Sequence, residues 1–137
     1  KASFLSVLIL VLRLSTLRGE DYCTEPQQLF SEYYVFSVPE KLMEQAPKWN
    51  SSESPLPLSP EIAAKNAVLA LLLHFLDSSL RVESITLKRL FSDRWIYLVE
   101  ASDITTAVAG IPWKLTVPVL LDGVTVAPAK VPANEQE

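Results

Sequence analysis

The sequence predicts an α+β domain: one long helix packed on an antiparallel meander of about four strands, with a separate apolar helix at the N-terminus. Three observations carry this. Ser59-Pro60-Glu61 is a specific helix start, the apolar period changes from helical to alternating after Ser78-Ser79, and Asp122-Gly123 sits between two apolar runs as a hairpin signal.

The first element is apolar without a stripe. Lys1 precedes an uncharged run from Ala2 to Leu12, and polar residues return at Ser15, Thr16 and Arg18. A cation followed by roughly 7–15 apolar residues is the pattern of a secretory signal peptide. Residues 1–19 are therefore read as an export signal, with Gly19 as the small residue before the cut. Removal of Lys1, Arg13 and Arg18 with it takes the net charge from −4 to −7. Read through to Leu17, the run becomes a marginal membrane anchor, since a spanning helix needs about 20 apolar residues.

Residues 20–58 read as an irregular connector. Leu29, Phe30, Tyr33, Tyr34, Val35 and Phe36 cluster without a period that separates strand from helix. Pro39 to Gln45 suits a short helix, and Asn50 to Pro57 is a Ser- and Pro-rich linker that carries the glycosylation triplet Asn50-Ser51-Ser52.

Residues 59–128 form the predicted domain. Ser59 is an N-cap, Pro60 suits the first helical position and Glu61 complements the helix dipole. The helix is expected to run to about Ser78 and to bury Ile62, Leu69, Leu72, Leu73 and Leu76. Strands follow at 82–91, at 94–101 and at 113–121, where Pro118 suggests an edge position or a bulge. Asp122-Gly123 turns into a return strand at 124–127, and residues 129–137 read as a disordered tail.

Composition excludes several functions. Cations are scattered through a chain of net charge −4, which does not suit a nucleic-acid backbone. One cysteine, Cys23, and one histidine, His74, supply neither an intramolecular disulfide nor a zinc site. Three glycines leave no phosphate-binding loop. His74 lies inside an apolar run and is expected to pack at the core edge, while Glu100 and Asp103 are expected at a solvated strand end. No nucleophile–base pair converges, so the chain is read as a non-enzyme with no catalytic residue, metal or cofactor.

The runs Ser59-Pro60-Glu61-Ile62-Ala63, Arg94-Trp95-Ile96-Tyr97-Leu98-Val99 and Val117 to Gly123 resemble small exported bacterial domains of the PepSY-like and cystatin-like type. Thr106-Ala107-Val108-Ala109-Gly110 also resembles the Gln-x-Val-x-Gly inhibitory loop of cystatins, with Thr106 in place of the Gln, and Pro112-Trp113 resembles their Pro-Trp loop. That resemblance implies a wedge, formed by Thr106, Val108, Gly110, Pro112 and Trp113, that blocks a cysteine-protease cleft.

The reading that follows is a small exported binding domain, periplasmic or extracellular. It would recognise a peptide or protein through its sheet face or an edge strand, with Trp95, Tyr97 and Trp113 as aromatic anchors. The alternatives are a cystatin-like inhibitor and an accessory domain held to a membrane by residues 2–17.

Overall fold

The computed structural model describes residues 21–29, 31–75, 79–91, 93–108 and 111–132, with the backbone alone for 104–108 and 111–112. The expected N-terminal helix and export signal, together with Leu76, Gly110 and residues 133–137, lie outside the described residues. The fold is mixed α+β with antiparallel sheets. In chain order the elements are β1 Tyr22–Cys23, β2 Gln27–Leu29, β3 Glu32–Val38, α1 Glu40–Gln45, α2 Pro60–His74, β4 Leu80–Phe91, β5 Arg94–Val108, β6 Ile111–Leu120 and β7 Pro128–Lys130. One sheet is the meander β4-β5-β6; in the other, β1, β2 and β7 all pair with β3.

α2 starts where the sequence places it. The Ser59 hydroxyl accepts the Ile62 N–H at 3.3 Å, Pro60 opens the helix and Glu61 lies in its first turn. Its buried face is not the expected one. Ala63, Ala67, Ala70 and Leu71 are buried, whereas Ile62, Leu69 and Leu73 are 49%, 51% and 79% exposed. The helix is apolar on every side, so periodicity does not choose its inner face. Packing chooses it. The sheet offers large side chains from Tyr97, Val99, Leu115, Val117 and Val119, and the alanines let the helix axis approach them closely.

The middle strand β5 alternates between two cores. Tyr97, Val99 and Ala101 face α2, together with Leu115, Val117 and Val119 of β6. Ile96 faces the other way and packs with Leu120, Val38, Met43 and Ala46. Arg94 fixes α1 over this second core, because its guanidinium donates to the carbonyls of Met43 and Ala46 at the end of that helix.

The described part of 21–58 holds the expected short helix, α1, but also three strands that the sequence reading missed, and it places Leu29, Phe36, Val38 and Met43 in the cores. Tyr33 to Phe36 of the aromatic run belong to the central strand β3, whose alternation is hidden because it is covered to some degree on both faces.

Gln27 joins the two sheets. Its side-chain amide donates to the Thr116 carbonyl at 3.0 Å and accepts the Thr116 N–H at 2.6 Å, as a neighbouring strand would. Thr116 therefore turns both backbone groups away from β5. Alternation turns Pro118 and Pro112 the same way, so neither proline removes a bond from the β5–β6 ladder. β6 is an edge strand, as Pro118 suggests.

The same geometry corrects the expected return strand at 124–127. Gly123 turns the chain at φ +88°, its N–H donating to the Leu120 carbonyl at 2.8 Å. Pairing then stops at a single bridge, Val119 to Thr125. Going further would need an N–H from Pro118, which has none, and then the Thr116 groups held by Gln27. The chain leaves instead to pair with β3 as β7, and Val131 is buried. The start of the expected disordered tail is thus ordered. The expected loop at 102–112 is also largely strand, since β5 continues to Val108 and β6 begins at Ile111.

Leu71→Ala is expected to cost about 2–5 kcal/mol, and Leu73→Ser to stay within about 0.5 kcal/mol of the parent, in urea unfolding. A larger loss at Leu73 than at Leu71 would contradict this orientation of α2.

Candidate interaction surfaces

Two of the three expected aromatic anchors are core residues. Tyr97 is 1% exposed, and its hydroxyl donates to the Leu58 carbonyl. Trp113 is 8% exposed and packs on Phe75 with ring centroids 5.8 Å apart. Both sit on the α2 side of the meander, where β2 and β3 also add Leu29 and Phe36 to the core. Little of either side chain is left for a partner to touch.

Trp95 is half-buried and lines a cleft of about 280 Å³ with Trp49, Asn50, Ser51, Arg89 and Asp93. Its ring meets Trp49 edge-on at 5.1 Å, and the Arg89 guanidinium lies 5.9 Å from its centroid. Both indole N–H groups are engaged within the chain. Trp95 donates to the Trp49 carbonyl and Trp49 to the Ser54 carbonyl, each at 3.1 Å. The Trp49 backbone N–H also bonds the Asp93 carbonyl. The pair is thus a pin that fastens the chain between α1 and α2 to β5. Asn50 is exposed beside it, its side-chain oxygen accepting from the Ser52 N–H and hydroxyl at 3.1 and 2.7 Å.

Thr106 and Val108 lie on the last part of β5, and Pro112 lies on β6. Val108 pairs with Ile111, so these positions share the tip of one hairpin. Trp113 follows directly but is turned into the core.

The other titratable residues that the sequence singles out each have a place of their own. His74 is exposed at the end of α2 with its ring tilted against Phe75, not packed at the core edge. Asp103 is fully buried and accepts the Ser79 N–H at 3.3 Å, a structural role and not that of a solvated strand end. Glu100 faces Lys114 at 3.9 Å. Among the described residues no group of three His, Cys, Asp or Glu side chains could hold a metal ion.

A second hollow, of about 310 Å³, lies on the face of the meander away from α2, where Tyr22 and Gln27 approach Lys88 and Leu98. The Lys88 ammonium sits 5.7 Å from the Tyr22 ring. Burial, and then the neighbouring Cys23, push the Tyr22 phenol above its ordinary pKa.

A third candidate surface is the outward side of α2. Ile62, Leu69 and Leu73 recur at helical spacing and form one apolar stripe, while Glu61 and Lys65 are the only acidic or basic groups of the helix before His74. The alanine face takes the contacts that a leucine face normally makes, so the leucines are left for solvent or a partner. Sequence reasoning chose these residues but assigned them to the core; their number exceeds what one helix face can bury. No protein-family model, curated protein or solved structure matches the chain.

One electrostatic network is testable by pH. The Ser102 hydroxyl, in a fully buried residue, donates to Glu83 Oε1 at 2.6 Å, and Arg81 donates to the same oxygen at 3.1 and 2.9 Å. Ser102 first, then Arg81, hold the Glu83 carboxyl below its ordinary range against a smaller opposing effect of desolvation. A depressed carboxylate contributes stability above its unfolded pKa and loses it as pH falls through the folded value. The gap in urea midpoint between the parent and Ser102→Ala should be constant near neutrality and shrink below roughly pH 4. A gap that widens in acid would contradict this role of Glu83.

Proposed function

We propose that the protein is a small, exported, non-enzymatic interaction domain that engages a polypeptide partner through the outward face of α2. The observation that carries this is the exposure of Leu73, Leu69 and Ile62 on one side of a helix that buries alanines instead. Contiguous exposed apolar surface of this kind marks interaction sites in folded proteins, and apolar positions at helical spacing are what a partner's groove or helix reads. Export rests on the cation-then-apolar pattern of residues 1–19. The helix-then-meander order, with its likeness to PepSY-like and cystatin-like domains, agrees with a binding role but names no ligand.

A photo-crosslinking residue placed at 73 or 69, in cells that express the native protein, should give one discrete protein adduct. The same residue at the exposed Lys130 of β7 should give none. Absence of an adduct at both helix positions would remove the proposal.

Cystatin-like inhibition is a second reading, favoured by one observation: Thr106, Val108 and Pro112 lie at the same end of the β5–β6 hairpin, where an inhibitory wedge would have to stand. The burial of Trp113 weighs against it, because the Pro-Trp element could not enter a cleft. We expect no inhibition of a papain-type protease at high micromolar protein; dose-dependent inhibition that is lost on mutating Thr106 and Val108 would restore this reading.

A further inference from the structure

The two edges of the meander are treated differently. On β6 the outward side is closed by Pro112, Pro118 and the Gln27 amide. On β4 no described strand pairs with the outward side. The register shows which of its groups face out. Thr116 points away from β5, so its partner Glu100 directs its own N–H and C=O towards β4, where it meets Ser84. Ser84, Thr86 and Lys88 are therefore bonded to β5, and Ile85 and Leu87 present their backbone groups outward.

Breaks in register between Val82 and Ser84 and between Arg89 and Phe91 bound a regular window of six residues, 84 to 89. Bulges limit pairing of an edge, and so does charge. Here both stand at the ends of the window and leave Ser84-Ile85-Thr86-Leu87 uncharged. Ile85 is 37% exposed on the α2 side, next to the partly buried Leu87.

We propose that the occupant of this edge is a second copy of this chain, with β4 pairing antiparallel to the partner copy's β4 about a two-fold axis at Thr86. The side chains select that register. Centring on Ile85 keeps only three pairs inside the window, against five when centred on Thr86; centring on Leu87 opposes Arg89 to Ile85, and centring on Lys88 opposes that lysine to itself. Centring on Thr86 opposes Ile85 to Leu87 twice, Ser84 to Lys88 twice and Thr86 to its own copy; apolar and Thr–Thr pairs are the favourable cross-strand ones. The backbone agrees: Ile85 and Leu87 have the outward groups needed for two hydrogen-bonded pairs, and Thr86 falls at the intervening non-hydrogen-bonded pair. The result is one continuous six-stranded sheet that also covers Ile85. The proposal does not depend on the role assigned to α2.

Paired Cα atoms at a non-hydrogen-bonded site lie about 4.5 Å apart, within disulfide range. In a Cys23→Ser background, needed because Cys23 is exposed and free, Thr86→Cys should form an intermolecular disulfide under mild oxidation of the folded protein. Ser84→Cys alone should not, and Ser84→Cys mixed with Lys88→Cys should. Sedimentation of the parent should show a dimer. Ile85→Pro, which removes only an outward N–H, should lower the dimer fraction at least tenfold with its circular dichroism unchanged. Ile85→Lys, which leaves the backbone intact, should do the same if Ile85→Pro fails to fold. A parent that stays monomeric at high micromolar concentration, or a dimer that crosslinks through cysteines at 69 and 73 but not at 86, would overturn the proposal.

Discussion

β5 is the middle strand of the meander, and its two-residue alternation sets the position of nearly everything else. Side chains at 97, 99 and 101 meet the alanines of α2, while Ile96 and Arg94 hold α1 on the opposite face. The backbone alternates in step. Its odd residues bond β6 and its even residues bond β4, which places Thr116 against Gln27 and the β6 prolines on an outer edge. A slip of one residue would exchange the two cores and aim both prolines into the ladder. Few rearrangements of this domain are therefore small, because side-chain faces and hydrogen-bond directions have to change together.

Within that frame α2 has an unusual division of labour. Its contact with the sheet is made by small residues and Leu71, and its bulky residues are left at the surface. Full burial of a leucine or isoleucine is worth about 1.5–3 kcal/mol, so a helix that exposes three of them forgoes stabilisation that its own sequence could supply. The Trp49–Trp95 pair shows the opposite economy. Both rings and both indole N–H groups are engaged inside the chain, and they hold a long connection in place. At these two places the aromatic pair serves the fold and the aliphatic side chains face outward, which reverses the usual expectation that aromatic side chains mark the contact surface.

Much of the α+β architecture can be read from the sequence where local chemistry decides. Ser59-Pro60-Glu61 caps the helix as it reads, the alternating runs after Ser79 are strands, and Asp122-Gly123 turns the chain. Reading fails where a distant partner decides. β1 and β2 have two and three residues, too few to show a period, and exist because β3 pairs with them. The inner face of α2 is set by the shape of the sheet beneath it, which an all-apolar helix does not encode. The missing return strand depends on Pro118 and on a glutamine roughly ninety residues earlier. The candidate surface was invisible for the same reason, since the residues that form it carry every sequence mark of a core.

β3 joins parts of the chain that are made far apart in time. It pairs at once with its neighbour β2, but its other partner, β7, contributes Ala129 and Lys130 opposite Val35 and Tyr34. The meander consists of consecutive strands and needs only short loops to close, whereas the β3–β7 ladder must first bring together segments separated by most of the domain. Non-local pairing of this kind lowers folding rates through the entropy of closing the intervening chain. Until β7 docks, β3 keeps an unpaired side, and a chain in that state is the form most open to pairing with the wrong strand. The strand that completes the second sheet thus closes the side of β3 that would otherwise stay open.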